Sequence, residues 1–292
     1  MFRSQDESVN IALRYVLDQH GKGTRPIFML LMAELAGGTW DTVKPAAMLV
    51  EAIHIASLLH DDVLDESAIR RGVEALHVKY SDKVSVLSGD YIFIKALNIA
   101  SRTYANDVVR ILFRAVERMT LGEIRDTIVP EAVDENTYLS IIADKTASLF
   151  AASAEIAVSL SGDGSRCDTG REIGEKLGMA FQIVDDTLDY MGDETDMGKP
   201  GLQDAGTGRM TLPLIHALDG VDDDIAHRIT NELVSDPQEV RDLVEKRGGI
   251  EYAFETAGVY TRRAQELIDI FENEPAGVSL KLFIDRLLER CS

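Results

Sequence analysis

Only two cysteines occur in 292 residues, Cys167 and Cys291, and they stand at no ligand-like spacing. Neither a disulfide scaffold nor a thiolate metal centre can organise such a chain. Proline is scarce, with seven in all, and no stretch has the period-two alternation and β-branched content of a sheet. Acids outnumber bases 50 to 30, so the formal charge of −20 leaves no general attraction for DNA, RNA or anionic lipid. No unbroken apolar run approaches the ~20 residues that span a bilayer. The start, Met-Phe-Arg-Ser-Gln-Asp-Glu, lacks the basic-then-apolar order of a signal peptide. A soluble, cytoplasmic protein with no integral membrane segment and no nucleic-acid partner is expected.

Hydrophobic residues, at 45%, suffice for a substantial core, and their spacing is helical. Helices are predicted over Val9–Asp18, after Arg25-Pro26, up to Leu64 with Pro45 in the first turn, and over Asp82–Ala100, Asp107–Ile128 and Glu135–Leu160. Another ends at Asp189, and further helices follow Arg209. Gly192 to Gly208, rich in Gly, Asp and Thr, reads as an irregular loop. The fold class is all-α.

The chemistry concentrates at helix ends. His54-Ile-Ala-Ser-Leu-Leu-His60-Asp61-Asp62-Val-Leu-Asp65 closes one apolar run, and Gly178-Met-Ala-Phe181-Gln182-Ile-Val-Asp185-Asp186-Thr-Leu-Asp189 closes another. On a helix the first and last aspartates of each set lie one turn apart, roughly 6 Å of rise. The negative end of the helix dipole worsens their repulsion. A single Asp-Asp-x-x-Asp is more often a solvated helix end; two, each closing an apolar helix, point to a shared cation. Hard oxygen donors without His or Cys suit magnesium, which is usually completed by water and phosphate. A diphosphate substrate follows, and two distant clusters that must serve one site argue for a single domain over 1–292.

These clusters resemble those of the trans-polyprenyl diphosphate synthases. The likeness includes Gly21-Lys22-x-x-Arg25-Pro26, His54, Arg70-Arg71-Gly72, Gly89-Asp90, Lys145-Thr146 and Gly198-Lys199. The resemblance implies a helical bundle around a central cavity, a homodimer, and condensation of isopentenyl diphosphate with an allylic diphosphate through an allylic carbocation. It also implies Mg2+ bound directly by Asp61, Asp65 and Asp185, with Asp62, Asp186 and Asp189 acting through water or orienting the ligands. Arg70, Lys145, Gln182 and Lys199 would hold the allylic diphosphate, and Lys22, Arg25, His54 and Arg71 isopentenyl diphosphate. Thr146 would face the cation. Arg209 stands where the family commonly has Lys and keeps the charge. Glu74 replaces a common Pro, and Gln203 departs from Gly or Lys.

Taken singly, Lys22, Arg25, Lys145 and Lys199 read as surface charges, His54 as a core histidine, and Phe181 and Tyr91 as core. Arg70 and Arg71 could merely neutralise the acidic helix end. A terpene cyclase would carry a different second metal motif, and a non-catalytic partner subunit usually lacks aspartates in one cluster. A di-iron bundle would need Glu-x-x-His. The tail of the product should run beside the first-cluster helix past Ser57 and Ala56, then Ile53 and Ala52, each turn rising about 5.4 Å. No aromatic plug stands at Ser57 or Ala56, so a product of twenty carbons or more is expected, with farnesyl diphosphate the alternative; Phe93 on a facing helix could form a floor.

Overall fold

A computed structural model describes residues 2, 4–19, 21–128, 133–191, 209–221, 229 and 237–288. Predicted loop 192–208, with Lys199 and Gln203, lies outside the described residues, as does Cys291. The described chain is helical apart from one small hairpin. It divides into two compact units, 1–116 with 152–168, and 117–151 with 169–292.

In the first unit α1 (Glu7–Leu17) starts where the Asp6 side chain accepts the Ser8 amide at 2.8 Å. Next come α2 (Thr24–Leu35) and α3 (Trp40–Leu64). Pro45 is not in the first turn of α3, as its sequence position suggested, but sits six residues in. The hydrogen bond it denies falls on the carbonyl of Asp41, which is exposed and can turn to water. By length and composition α3 would pass for a membrane span even though Glu51 and His54 interrupt it, because averaged hydropathy tolerates breaks that an unbroken run does not. With 56% of the stretch buried inside the protein, it is a core helix.

The hairpin pairs β1 (Ile69–Arg70) with β2 (Val73–Glu74), antiparallel, with Arg70 opposite Val73. It was not visible in the sequence because two-residue strands carry no alternation. Then follow α4 (Leu76–Lys79) and α5 (Asp82–Thr103), the latter capped by the Ser81 hydroxyl. Helices α2 and α5 both pack on α3. Ala52, Ile55, Ala56 and Leu59 of α3 meet Leu13 and Val16 of α1, Leu76 of α4 and Ile92 of α5 in one core.

Helix α6 (Asn106–Ile128) leads into the second unit. The predicted helix Glu135–Leu160 is α7 (Glu135–Ile142) and α8 (Ser148–Leu160) joined by a π turn at Ala143–Ala147, an inserted residue that hydropathy patterning does not reveal. Helix α9 (Cys167–Asp189) follows, then α10 (Leu212–Leu218), α11 (Pro237–Lys246), α12 (Gly249–Ile268) and α13 (Glu274–Leu288). The core here joins Tyr138, Ile142, Met179, Ile183, Leu212 and Ala257.

Candidate active site

Helix α3 ends with the Asp65 amide bonded to the Asp61 carbonyl at 2.8 Å. This leaves Asp61 half-buried and Asp65 exposed one turn apart, with Asp62 turned inward at 2% exposure. Arg70 Nε donates to Asp62 Oδ1 at 2.6 Å, and a second guanidinium nitrogen of Arg70 reaches the same oxygen. The reading of Arg70 as a neutraliser of the helix end is thus literally present.

The hairpin that delivers Arg70 turns on Arg71 and Gly72, whose φ values of 52° and 79° make a two-residue primed turn. Glycine takes this conformation without strain, whereas Arg71 does so at a cost on the order of 1–3 kcal/mol, a pattern common at functional sites. Three contacts hold it. Arg71 Nη1 donates to the Gln19 carbonyl at 3.2 Å. The Tyr15 hydroxyl donates to the Glu74 carbonyl at 2.8 Å. The Arg71 guanidinium also packs on Gly21, where a Cβ would fall 2.6 Å from it and would have to push it aside. Beside the hairpin is a cleft lined by apolar residues such as Val16, Ile55 and Leu76 and by Asp62, Arg70 and Arg71.

Arg25 is buried rather than a surface charge; burial draws it down to about 10, opposed by Glu51. Burial also holds His54 well below 6.5, and Arg25, Arg71 and Arg70 push it the same way. The imidazole is therefore neutral beside three guanidinium groups, an environment that favours an anion. Lys22 is exposed.

The second cluster repeats the geometry with different chemistry. Asp186 is the buried member, accepting the Tyr138 hydroxyl at 2.6 Å and Gln182 Nε2 at 2.7 Å, while Asp185 is exposed and Asp189 half-buried. Burial pushes Asp186 up to about 6, against the pull of Arg209, Tyr138 and Gln182, and Asp185 adds to the rise. Gln182 Oε1 in turn accepts the Thr146 hydroxyl at 2.6 Å, so Tyr138, Asp186, Gln182 and Thr146 form one chain.

Lys145 and Thr146 both sit on the π turn. Backbones crowd it from two sides: a Cβ at Gly122 of α6 would lie 2.5 Å from the Lys145 amide nitrogen, and one at Gly178 of α9 2.5 Å from Ala147 Cα. Lys145 Nζ lies 2.9 Å from Glu123 Oε2 and 2.7 Å from Asp126 Oδ2, and Arg209 donates to that same Asp126 oxygen at 2.5 Å. Burial and Arg209 oppose the charge on Lys145, yet Asp126 and Glu123 outweigh them and its pKa is raised. Burial alone would raise Asp126; Arg209 and Lys145 lower it instead.

Of the four residues expected beside a growing tail, Ile53 and Ala56 are fully buried. The Ala56 carbonyl lies 3.0 Å from where a Gly89 Cβ would be, so Ala56 occupies the close approach of α3 and α5. Ser57, on the face of Asp61, is half-buried and bonds back to the His54 carbonyl at 2.9 Å. Phe93 tilts against His60 with centroids 5.6 Å apart. Phe181 tilts against Phe150 at 5.5 Å, and Tyr91 packs on the first-unit core, as their reading as core residues implied.

Sequence reasoning missed Glu51, Glu123, Asp126 and Tyr138. For Glu123 and Asp126 a signal existed: three residues apart, they share a face of α6.

The polyprenyl synthetase family model matches residues 6–247. The chain is 32% identical to a short chain isoprenyl diphosphate synthase from Methanothermobacter thermautotrophicus, over 97% of this chain and 91% of that one. It is 33% identical to a geranylgeranyl diphosphate synthase from Methanosarcina mazei, over 98% and 91% respectively. Among solved structures, a polyprenyl synthase from Caulobacter crescentus, complexed with calcium and isoprenyl diphosphate, superimposes with a TM-score of 0.91 at 31% identity, covering 100% of this chain and 92% of that one.

Proposed function

The chain belongs to the polyprenyl synthetase family and is a trans-prenyltransferase, a polyprenyl diphosphate synthase, and on that premise we propose that it condenses isopentenyl diphosphate with an allylic diphosphate using magnesium. The observation that carries the assignment of residues is the repeated cluster: in each, the fold turns the middle aspartate inward and keeps the outer two on one helix face, half-buried or exposed. The donor set fits magnesium. It is all carboxylate oxygen, the donor type of an ion that is usually finished by water and phosphate.

Asp61, Asp65 and Asp185 are assigned as direct ligands, oriented by Asp62, Asp186 and Asp189. Bound magnesium would supply positive charge against the oxygens of the departing diphosphate. Arg70, Lys145, Gln182, Lys199 and Arg209 hold that diphosphate, and as its carbon–oxygen bond breaks the four cations among them stabilise the electrons left on oxygen. Lys22, Arg25, His54 and Arg71 hold isopentenyl diphosphate, whose double bond forms the new carbon–carbon bond and then loses a proton. Thr146, fixed through Gln182, faces the allylic cation.

The same reading makes 1–292 one domain, supported by a family match that runs through both compact units. It also makes the protein a cytoplasmic homodimer, in keeping with exposed apolar residues on α5 (Val86, Leu87, Ile94) and α6 (Phe113, Leu121, Ile124, Ile128). The product is assigned twenty carbons or more. Radiolabelled isopentenyl diphosphate offered with each allylic starter, and resolved by chain length, tests this. Products of twenty carbons or longer are expected. Farnesyl diphosphate as the main product would overturn the length, and no incorporation with any starter would favour a partner subunit instead.

A further inference from the structure

One oxygen in the second unit accepts from two cations: Asp126 Oδ2 lies 2.7 Å from Lys145 Nζ and 2.5 Å from Arg209. The three groups come from separate segments, α6, the π turn and the stretch entering α10, and each is at least half-buried or nearly so, with side-chain exposures of 23%, 21% and 37%. Two like charges this close repel, which shows as the opposition of Arg209 to the charge on Lys145. Glu123 engages Lys145 alone, so Asp126 is the one carboxylate among the described residues that joins both.

We propose that Asp126 is a positioning residue: its carboxylate draws Lys145 and Arg209 together and presents them as a pair to the allylic diphosphate. The inference rests on the assignment of those two cations to that diphosphate. Without Asp126 the lysine keeps Glu123, on the same helix as Asp126, but the shared oxygen that brings Arg209 beside it is lost. The two-point grip on one diphosphate becomes a one-point grip. The effect reaches substrate through the cations and leaves isopentenyl diphosphate untouched.

The test is a double-mutant cycle in the full-length protein, read as the KM of each substrate. Asp126→Ala is expected to raise the allylic KM about tenfold or more, the scale of one charged hydrogen bond, with the isopentenyl diphosphate KM within about twofold. Arg209→Ala should give a similar rise, and the double variant should be little worse than either single one. Additive losses, an unchanged allylic KM in Asp126→Ala, or equal losses for both substrates would overturn the positioning role. If Arg209→Ala and Lys145→Ala themselves leave the allylic KM unchanged, the assignment of the cations fails instead. Should thermal melting show that Asp126→Ala is unfolded, Asp126→Leu, close to aspartate in shape but without an acceptor, carries the same cycle: the same rise in allylic KM and the same lack of additivity with Arg209→Ala are expected, and an unchanged allylic KM would overturn the role.

Discussion

The two aspartate clusters are alike in sequence and unlike in how the fold neutralises their centre. In the first, Asp62 is buried against the guanidinium of Arg70, a charge matched by a charge. In the second, Asp186 is buried against a phenol and an amide, and burial raises its pKa to about 6. Asp-Asp-x-x-Asp is therefore a rule for the outer two carboxylates, which face away from the core in both places. The middle one is held inward by whichever partner the fold brings within reach. The hairpin supplies Arg70 to the first, whereas α7 supplies Tyr138 to the second.

The largest effect should strike what the clusters share. Asp61→Asn or Asp185→Asn is expected to lower turnover on the order of a thousandfold while the melting temperature holds, since each would weaken the hold on magnesium without disturbing the core. Near-normal turnover in either would sink the assignment of that cluster.

The next effect separates the clusters. Asp62→Asn strands the charge of Arg70 in a half-buried site and should cost on the order of 3 kcal/mol by denaturant melts. Asp186→Asn should do the opposite at neutral pH. A carboxyl whose folded pKa is raised above its unfolded 3.8 binds extra protons when folded, so its contribution to stability falls as pH rises from about 4 to about 6 and stays low above. The amide escapes that penalty, provided that Gln182 and Thr146 reverse their hydrogen bonds. Its advantage over wild type should be full at pH 7–8 and vanish near pH 4. Destabilisation by both variants at pH 8 would erase the contrast.

A smaller effect concerns the basic groups near each cluster. Arg25→Ala and His54→Ala should raise the KM for isopentenyl diphosphate about tenfold more than that for the allylic partner, and Lys145→Ala the reverse. Equal effects on both substrates would refute the division. Smallest in rate, and visible only in product length, should be Ser57→Phe. Ser57 lies on the face of Asp61 and is half-buried, so added bulk there should shorten the product without abolishing condensation. Ala56→Phe should also shorten it, at greater cost in stability, because Ala56 fills the close approach of α3 and α5. An unchanged product distribution in both would put the gauge elsewhere.

Much of this was legible before any coordinates. Apolar helices ending in aspartates point to the fold class, and the periodicity located α5 and α6 to within a few residues of both ends, and α3 and α9 at their C-terminal ends. Pro45 misled because proline is confined to a first turn only when the carbonyl it orphans has no other outlet, and Asp41 is exposed. The hairpin was too short to have a period, and the π turn changes the helical phase without altering composition. Tyr138 was invisible and Asp126 easily passed over, despite its spacing from Glu123, for a different reason. A tyrosine in an apolar stripe and an acid on a helix face look like core and solvated surface until the partner from a distant segment, Asp186 or Arg209, is seen beside them.

One measurement bears most directly on the whole: incorporation of radiolabelled isopentenyl diphosphate onto an allylic diphosphate as magnesium is removed and restored. In excess EDTA the protein is expected to form no product, and added magnesium should return full activity. Asp61→Asn and Asp185→Asn should need far more metal for whatever turnover they keep. Product formation by the wild-type protein that is indifferent to EDTA would contradict the assignment of both clusters at once.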